Sequence, residues 1–305
     1  MNKKTVTLFS GAILLLVLVA AAAGVFSETT GAHINFVTVR GEYATYQGSG
    51  LYRYDPASVA SEGMIWDAID LCVTLPLFAV AMVLSWRGSL RGRLLLSGLL
   101  FYFFYQYLQY AVMVAFNLLF LVYVAIFALS AVTFFLNVRA TEVSRLPARL
   151  SASFPRRLLI GFTLVMSAAL TLLWLGRIIP YTLAGRFPDE LAGMTTLVTQ
   201  ALDLGLVVPL LLSTAILLWR RSSWGYLLAG ISATFGFVMS ITLPAWIAAP
   251  LIQSGQMNLI EAVPLTLLCL GGLVVAGRFF WSVQQEEQAR SHGKVALGTA
   301  GGETL

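Results

Sequence analysis

Apolar residues are grouped along the chain into eight stretches, each long enough to cross a lipid bilayer. A helix that spans the hydrocarbon core needs about 20 predominantly apolar residues. We therefore predict eight transmembrane helices, at about residues 5–26, 65–86, 94–115, 117–136, 158–179, 195–219, 225–248 and 258–282. The pattern indicates an all-α, polytopic membrane protein.

Part of this pattern occurs twice, with an offset of 133 residues. Residues 70–95 and 203–228 each contain an acid near the start of an apolar helix, a proline six residues later, and a Trp-Arg pair at the helix end. Because Asp, Pro, Trp and Arg are rare in such stretches, shared hydrophobicity does not account for the match. We interpret it as an internal duplication that gives two parallel four-helix repeats, related by an axis along the membrane normal.

Lysine and arginine residues set the orientation, because they are retained on the cytoplasmic side. With the N-terminus inside, fifteen of the 19 basic residues face the cytoplasm, and only Arg40, Arg53, Arg177 and Arg186 lie outside. An even number of spans places the C-terminus inside as well. We expect a multi-pass protein of the plasma (inner) membrane, with both termini cytoplasmic.

This topology divides the chain into four parts. The first repeat includes an outside segment, 27–64, in which residues 35–40 are expected to form a short strand or an extended piece on the membrane surface. The parts are 1–136 as the first repeat, 137–157 as a basic cytoplasmic linker, 158–282 as the second repeat, and 283–305 as a disordered cytoplasmic tail. We expect the outside segment to form a structured lid at the level of the lipid headgroups or, alternatively, a lid that contacts a ligand, and we expect the linker to be solvated.

The first span has a second interpretation. Lys3 and Lys4, the apolar run and the alanines at 20–22 also fit a cleavable signal peptide. The duplication favours a retained helix, because the second and third spans match the sixth and seventh and so leave the first as the counterpart of the fifth.

Composition supports the membrane assignment: 58% of residues are hydrophobic, 11% are charged, and the mean hydropathy is +0.83. A soluble domain carries about 25% charged residues. The net charge of +5 is explained by the cytoplasmic arginines, so we expect membrane lipids and not nucleic acid as partners. His33 and His292 lie outside the apolar stretches, which argues against a haem or metal held by paired histidines, and we predict no cofactor. The sequence gives no indication of the oligomeric state.

Polar side chains inside the apolar stretches mark a candidate site, because a charge at the bilayer centre costs at least ~2.5–3.5 kcal/mol. The candidates for an ion or ligand site are Asp203, Asp70, Gln200, Asp67, Arg177, Gln109 and Glu261. On the predicted topology most of them fall in the outer half of the membrane. They predict a polar pocket open to the outside, with Asp70 near its floor and Asp203 deeper still.

Structural roles would account for the same residues. Asp67, Asp70 and Glu261 are predicted near helix starts, where the helix dipole stabilises an acid. Asp203 is predicted too deep for that, but Arg177 at the end of the fifth span is positioned to neutralise it as an ion pair. Tyrosines of the third span either line a cavity or pack between helices.

Several motifs resemble those of a group of bacterial multi-pass membrane proteins. They lie at residues 50–55, 87–96, 117–121, 202–209, 218–221 and 224–228, within a region that covers about 48–230. The resemblance implies the eight-helix arrangement and a prokaryotic plasma membrane. It implies no activity and transfers no catalytic residue.

Three functions are compatible with these features. The first is a small-solute or ion-coupled transporter, in which Asp70 and Asp203 bind a proton, a cation or a small solute. The second is a non-catalytic sensor or assembly partner that binds through the outside segment 27–64. The third is a lipid-modifying enzyme, for which the spans show no nucleophile motif and no metal-binding cluster. We rank them in that order.

Overall fold

The structure is a computed structural model that describes residues 3–188, 191, 193–254 and 259–283. These residues are almost entirely helical, and we number the eight long helices in chain order. They are α1 (Lys3–Phe26), α2 (Ala57–Trp86), α3 (Leu90–Met113), α4 (Phe120–Ala140), α5 (Arg156–Leu183), α6 (Val198–Trp219), α7 (Ser223–Ser254) and α8 (Leu259–Ser282).

Seven of these helices are long and apolar enough to cross a membrane, which indicates a multi-pass membrane protein. The exception is α3, which has 24 residues but is rich in tyrosine and also contains two glutamines. Most of its side chains are buried, because it packs against α2, α4 and α7. Since those polar side chains are buried against other helices, α3 has less need of an apolar surface. Seven of the eight predicted spans meet the criteria for a membrane helix, so the count of eight stays a prediction.

Part of the segment predicted to lie outside, 27–64, is helical, because α2 begins at Ala57 and not at residue 65. Pro56 precedes the helix in an extended conformation (φ −51°, ψ 142°) and starts it without needing a hydrogen-bond donor of its own. The sequence pattern missed this first part of α2 because it contains Ser58, Ser61 and Glu62.

Two short antiparallel strands, β1 (Ile34–Val37) and β2 (Tyr43–Tyr46), form a hairpin within this segment. The strand predicted at 35–40 therefore ends at Val37, where the chain turns through Gly41 (φ 83°). We call the end of the helix bundle that carries this segment the hairpin end.

Contacts tie the hairpin to the loop between α5 and α6. Arg40 donates a hydrogen bond to the carbonyl oxygen of Met194 (3.0 Å), and the Tyr46 hydroxyl donates to that of Gly193 (3.4 Å). The segment thus joins the two halves of the chain at the hairpin end.

The opposite end, which we call the linker end, carries the basic linker between α4 and α5. The linker was predicted to be solvated, but Leu146 is only 2% exposed and Leu150 pairs with Val283 after α8. Arg91 at the start of α3 also donates to the Val283 carbonyl oxygen (2.8 Å). The rest of the predicted tail, 284–305, lies outside the described residues.

Candidate functional site

Two π-helical turns interrupt α2 and α6, and each begins at an aspartate. In α2 the turn Asp70–Thr74 is closed by the Leu75 N–H, which donates to the carbonyl oxygen of Asp70, five residues earlier. Pro76 follows and has no N–H for the carbonyl four residues before it. π-helical turns inside α-helices occur frequently at functional sites, so each aspartate lies at a plausible place for chemistry.

The turn in α6 has the same construction. It covers Asp203–Val207, the Val208 N–H donates to the Asp203 carbonyl oxygen, and Pro209 follows. The corresponding positions in α2 and α6 are 133 residues apart, which is the offset of the repeated sequence.

Asp70 is enclosed by hydroxyl groups and is 1% exposed. Its Oδ1 accepts hydrogen bonds from Thr74 (2.6 Å) and Tyr102 (2.8 Å), and its Oδ2 accepts one from Tyr107 (3.3 Å). Both tyrosines belong to α3, so the central helix holds this carboxylate in place.

Asp67, one turn earlier in α2, is also fully buried. Its Oδ2 accepts a hydrogen bond from Tyr52 of the outside segment (2.5 Å), and its Oδ1 accepts one from Tyr110 of α3 (3.3 Å). Gly24 of α1 closes the remaining side, because a Cβ atom at that position would collide with the Asp67 carboxylate.

Asp203 is only partly buried, and it has fewer partners. Its Oδ1 accepts a hydrogen bond from Tyr105 of α3 (2.7 Å), and its Oδ2 accepts one from the indole Nε1 of Trp174 in α5 (2.9 Å). The guanidinium carbon of Arg177 lies 5.9 Å from the centre of the Trp174 ring. The hypothesised ion pair between Asp203 and Arg177 does not form: the ion pairs within the described residues join Arg40 to Glu42 and Arg145 to Glu142.

The two acids lie at different distances from the starts of their helices. Asp70 follows 13 residues of regular helix (Ala57–Ile69), whereas Asp203 follows only 5 (Val198–Leu202). The sequence pattern placed the start of α2 too late, and the depths of the two acids in the membrane stay a prediction. The helix dipole therefore does not explain Asp67 or Asp70, since its influence is confined to the first turn.

The other candidates are distributed unevenly around these acids. Gln109 donates a hydrogen bond to the Thr199 hydroxyl (3.0 Å) and so joins α3 to α6, with Gln200 half-buried next along α6. The side chain of Glu261 lies outside the described part of the structure. Gln106, a neighbour of Gln109 on α3, is fully buried, and its side-chain oxygen and nitrogen have no hydrogen-bond partner.

Sequence reasoning missed several residues that complete the site. Tyr52, Tyr107, Tyr110 and Trp174 each donate to a carboxylate, but an aromatic residue in a membrane helix is usually a packing residue. Glu62, which lies close enough to Tyr105 to interact with it electrostatically, was overlooked because it precedes the predicted span. The feature of the sequence that could have indicated these partners is the series of tyrosines in α3.

The outside segment has its own buried acid, Asp55, just before α2. The Ala115 N–H, in the loop between α3 and α4, donates to its Oδ1 (2.7 Å). Burial raises the pKa of Asp55 to about 6, although the hydrogen bond from Ala115 opposes the shift.

The predicted outward pocket is not open at Asp67 or Asp70, since tyrosines cover both. An open cavity of about 440 Å³ lies instead at the linker end, between residues 152–158 and Tyr226. Within the described residues no group of three or more His, Cys, Asp and Glu side chains is arranged to hold a metal ion.

These features define a helical membrane protein with carboxyl groups in its interior. No known protein family, curated protein or solved structure matches the chain. Its function is therefore argued from the site itself.

Proposed function

We propose that the protein is a small-solute or ion-coupled transporter, in which Asp203 contacts the transport pathway. The observation that carries this proposal is the paired arrangement of Asp70 and Asp203. Each begins a π-helical turn before a proline, and each accepts a hydrogen bond from a tyrosine of α3. Interrupted helices with polar groups at their breaks are typical of transporter binding sites.

The architecture that we propose is eight membrane-spanning helices in two parallel four-helix repeats. Besides the π-helical turns, the short turns that follow α2 and α6 support it. Gly88 and Arg221 occupy equivalent positions in these turns, and both have positive φ (89° and 55°). Gly92 and Gly225 are also equivalent, and both touch the backbone of the preceding helix so closely that a Cβ would not fit. As the eighth span, α3 would be surrounded by other helices and shielded from lipid.

We further propose a bacterial plasma membrane with the linker end and both termini in the cytoplasm, following the positions of the arginines. The hairpin end then faces outward. Asp203 lies near that end of α6 and is the accessible one of the three aspartates, so a solute entering from outside would reach it first.

The lack of a basic partner supports a site for a positive charge. The hydrogen bonds to Asp67, Asp70 and Asp203 come from hydroxyl and indole groups, and no ion pair within the described residues includes these acids. A carboxylate in the membrane interior is costly unless a proton or a cation compensates its charge.

The test is transport by purified protein in liposomes that contain a pH-sensitive dye. A panel of amino acids, sugars and organic cations is offered outside, and solute uptake and internal pH are followed. We expect Asp203→Asn to abolish the response, while the control Glu142→Gln, in the exposed linker, leaves it unchanged. Equal transport by the Asp203→Asn and unmodified proteins would reject the proposal.

A second candidate is a sensor or assembly component that binds a partner through the outside segment. Exposed apolar side chains at the tip of the hairpin favour it: Val37 is 54%, Val39 104% and Tyr43 90% exposed. Replacing Val39 and Tyr43 by serine should then abolish co-purification of a partner without changing thermal stability. Co-purification that survives this replacement would count against the segment as a binding surface.

A further inference from the structure

Asp67 and Asp70 form a pair of carboxylates with an unusually complete set of donors. They are three residues apart in α2 and so lie on one face of the helix. Each of their four oxygens accepts a hydrogen bond from a hydroxyl group. These donors are neutral, and no ion pair among the residues that the structure describes balances the charge of the pair.

Gln106 supplies a second, independent sign of a ligand in the same place. It is 0% exposed, and neither Oε1 nor Nε2 has a hydrogen-bond partner. It lies four residues after Tyr102, which donates to Asp70, and four before Tyr110, which donates to Asp67. Since residues four apart share a helix face, this spacing places Gln106 between Tyr102 and Tyr110 on the side of α3 whose tyrosines bond to the acids of α2.

We propose that Asp67, Asp70 and Gln106 form a binding site for one exchangeable proton. Binding converts one carboxylate of the pair into a carboxylic acid, and its O–H then needs an acceptor. Neither amide atom of Gln106 is bonded to the pair in this structure, so its Oε1 is free to accept the new O–H when a carboxylate is protonated. This inference rests on the proposed function, because it names the ion that would drive transport and separates its site from Asp203.

Tyr52 provides the route by which the proton enters. It belongs to the outside segment, its hydroxyl bonds directly to Asp67, and it lies three residues before the buried Asp55. A phenol relays a proton by accepting one on its oxygen and releasing its own to the carboxylate, so no charge remains on it. The titratable groups around the pair are Asp55 and Tyr52 of the segment, Tyr102, Tyr107 and Tyr110 of α3, and Tyr123 of α4.

The proton is detected directly by infrared difference spectroscopy of the full-length protein in lipid, titrated from pH 4 to pH 9. We expect a protonated-carboxyl band, separate from the one that Asp55→Asn removes, that disappears with rising pH, is absent in Asp67→Asn and Asp70→Asn, and persists in Asp203→Asn. If those two variants do not fold, Gln106→Leu tests the same site, and its titration midpoint should move by about one pH unit. A band unaffected by Gln106→Leu would overturn the proposal.

Two further arms identify the ion and the route. Replacing choline by Na⁺ at constant pH should leave the band unchanged, and its loss would assign the site to Na⁺ and overturn a proton site. After a pH jump, Tyr52→Phe should slow proton uptake by at least about tenfold, whereas Tyr54→Phe, at an exposed position of the same segment, should not. No solute is needed, so a failure here is distinguishable from a failure of the transport assay.

Discussion

The carboxylates of Asp70 and Asp203 share a backbone setting and differ in nearly everything around it. Both begin a π-helical turn that ends before a proline. Asp70 is sealed by three hydroxyl groups, whereas Asp203 has two partners and remains partly exposed. The repeated sequence therefore determines the local backbone, and the surrounding helices determine what each acid can do.

Helix α3 is the source of the difference. Its tyrosines reach the acids of both halves, but α7, at the equivalent position in the second half, has Phe235 in place of Tyr102 and Val238 in place of Tyr105. The second half also has Gln200 where the first has Asp67. One half thus holds two enclosed acids and the other holds one accessible acid, which suits a division between a coupling site and a solute site.

The largest expected difference between the two regions is in the free energy of unfolding lost when Asp70 or Asp203 is replaced. Asp70→Ala leaves three buried hydroxyls without a partner, and we expect a loss of about 3–5 kcal/mol in the free energy of unfolding. Asp203→Ala leaves only two donors, beside a position that is itself partly exposed, and should cost less, about 1–3 kcal/mol. Thermal unfolding in detergent provides the comparison, and equal losses would show that the two environments do not differ energetically.

The segment before α2 adds a further buried acid, Asp55, and its pKa gives the next test. Because burial raises the pKa of Asp55 from 3.8 to about 6, the folded state binds more protons than the unfolded state between those values. Stability should therefore be highest below pH 4, fall by up to about 3 kcal/mol as the pH rises to 6, and change little above that.

Asp55→Asn should remove this dependence, because the amide oxygen can still accept the Ala115 N–H without carrying a charge. Parallel unfolding measurements between pH 4 and pH 8 on both proteins provide the check. A pH dependence that persists unchanged in the variant would assign it to another group.

Two glycines test how tightly each site is closed. A Cβ at Gly24 would collide with the Asp67 carboxylate, whereas one at Gly205, inside the second π-helical turn, would meet nothing within 4 Å. We expect Gly24→Ala to destabilise the protein by about 2 kcal/mol and Gly205→Ala to change it by less than about 0.5 kcal/mol. Similar unfolding temperatures for the two variants would contradict the closed character of the first site.

The apolar stretches of the sequence located all eight helices, because a lipid-facing surface must be apolar. They did not indicate that α3 differs from the other seven in packing most of its side chains against neighbouring helices. Its tyrosines were interpreted as lining a cavity or packing between helices. Their role as partners of three carboxylates was not predictable, because it depends on contacts between distant parts of the chain.

The candidate site was predictable in its acids and not in its geometry. Asp67, Asp70 and Asp203 stood out because charges are rare in apolar stretches. The distance of Asp67 and Asp70 from the start of α2 was predicted too short, because the helix begins at Ala57 among polar residues and the prediction followed apolar stretches. Tyr52 was not foreseeable, since a loop residue that enters the bundle leaves no periodic signal.

The prolines provide the last comparison, in which the two halves should behave alike. Pro76→Ala and Pro209→Ala each restore an N–H and allow the π-helical turn to become regular α-helix. We expect each to change the free energy of unfolding by about 1 kcal/mol or less, since the gained backbone hydrogen bond offsets the disturbance of the aspartate's own hydrogen bonds. Hydrogen exchange should slow at residues 70–76 in one variant and at 203–209 in the other. If only one variant responds, the two turns have different causes, and the shared proline does not explain both.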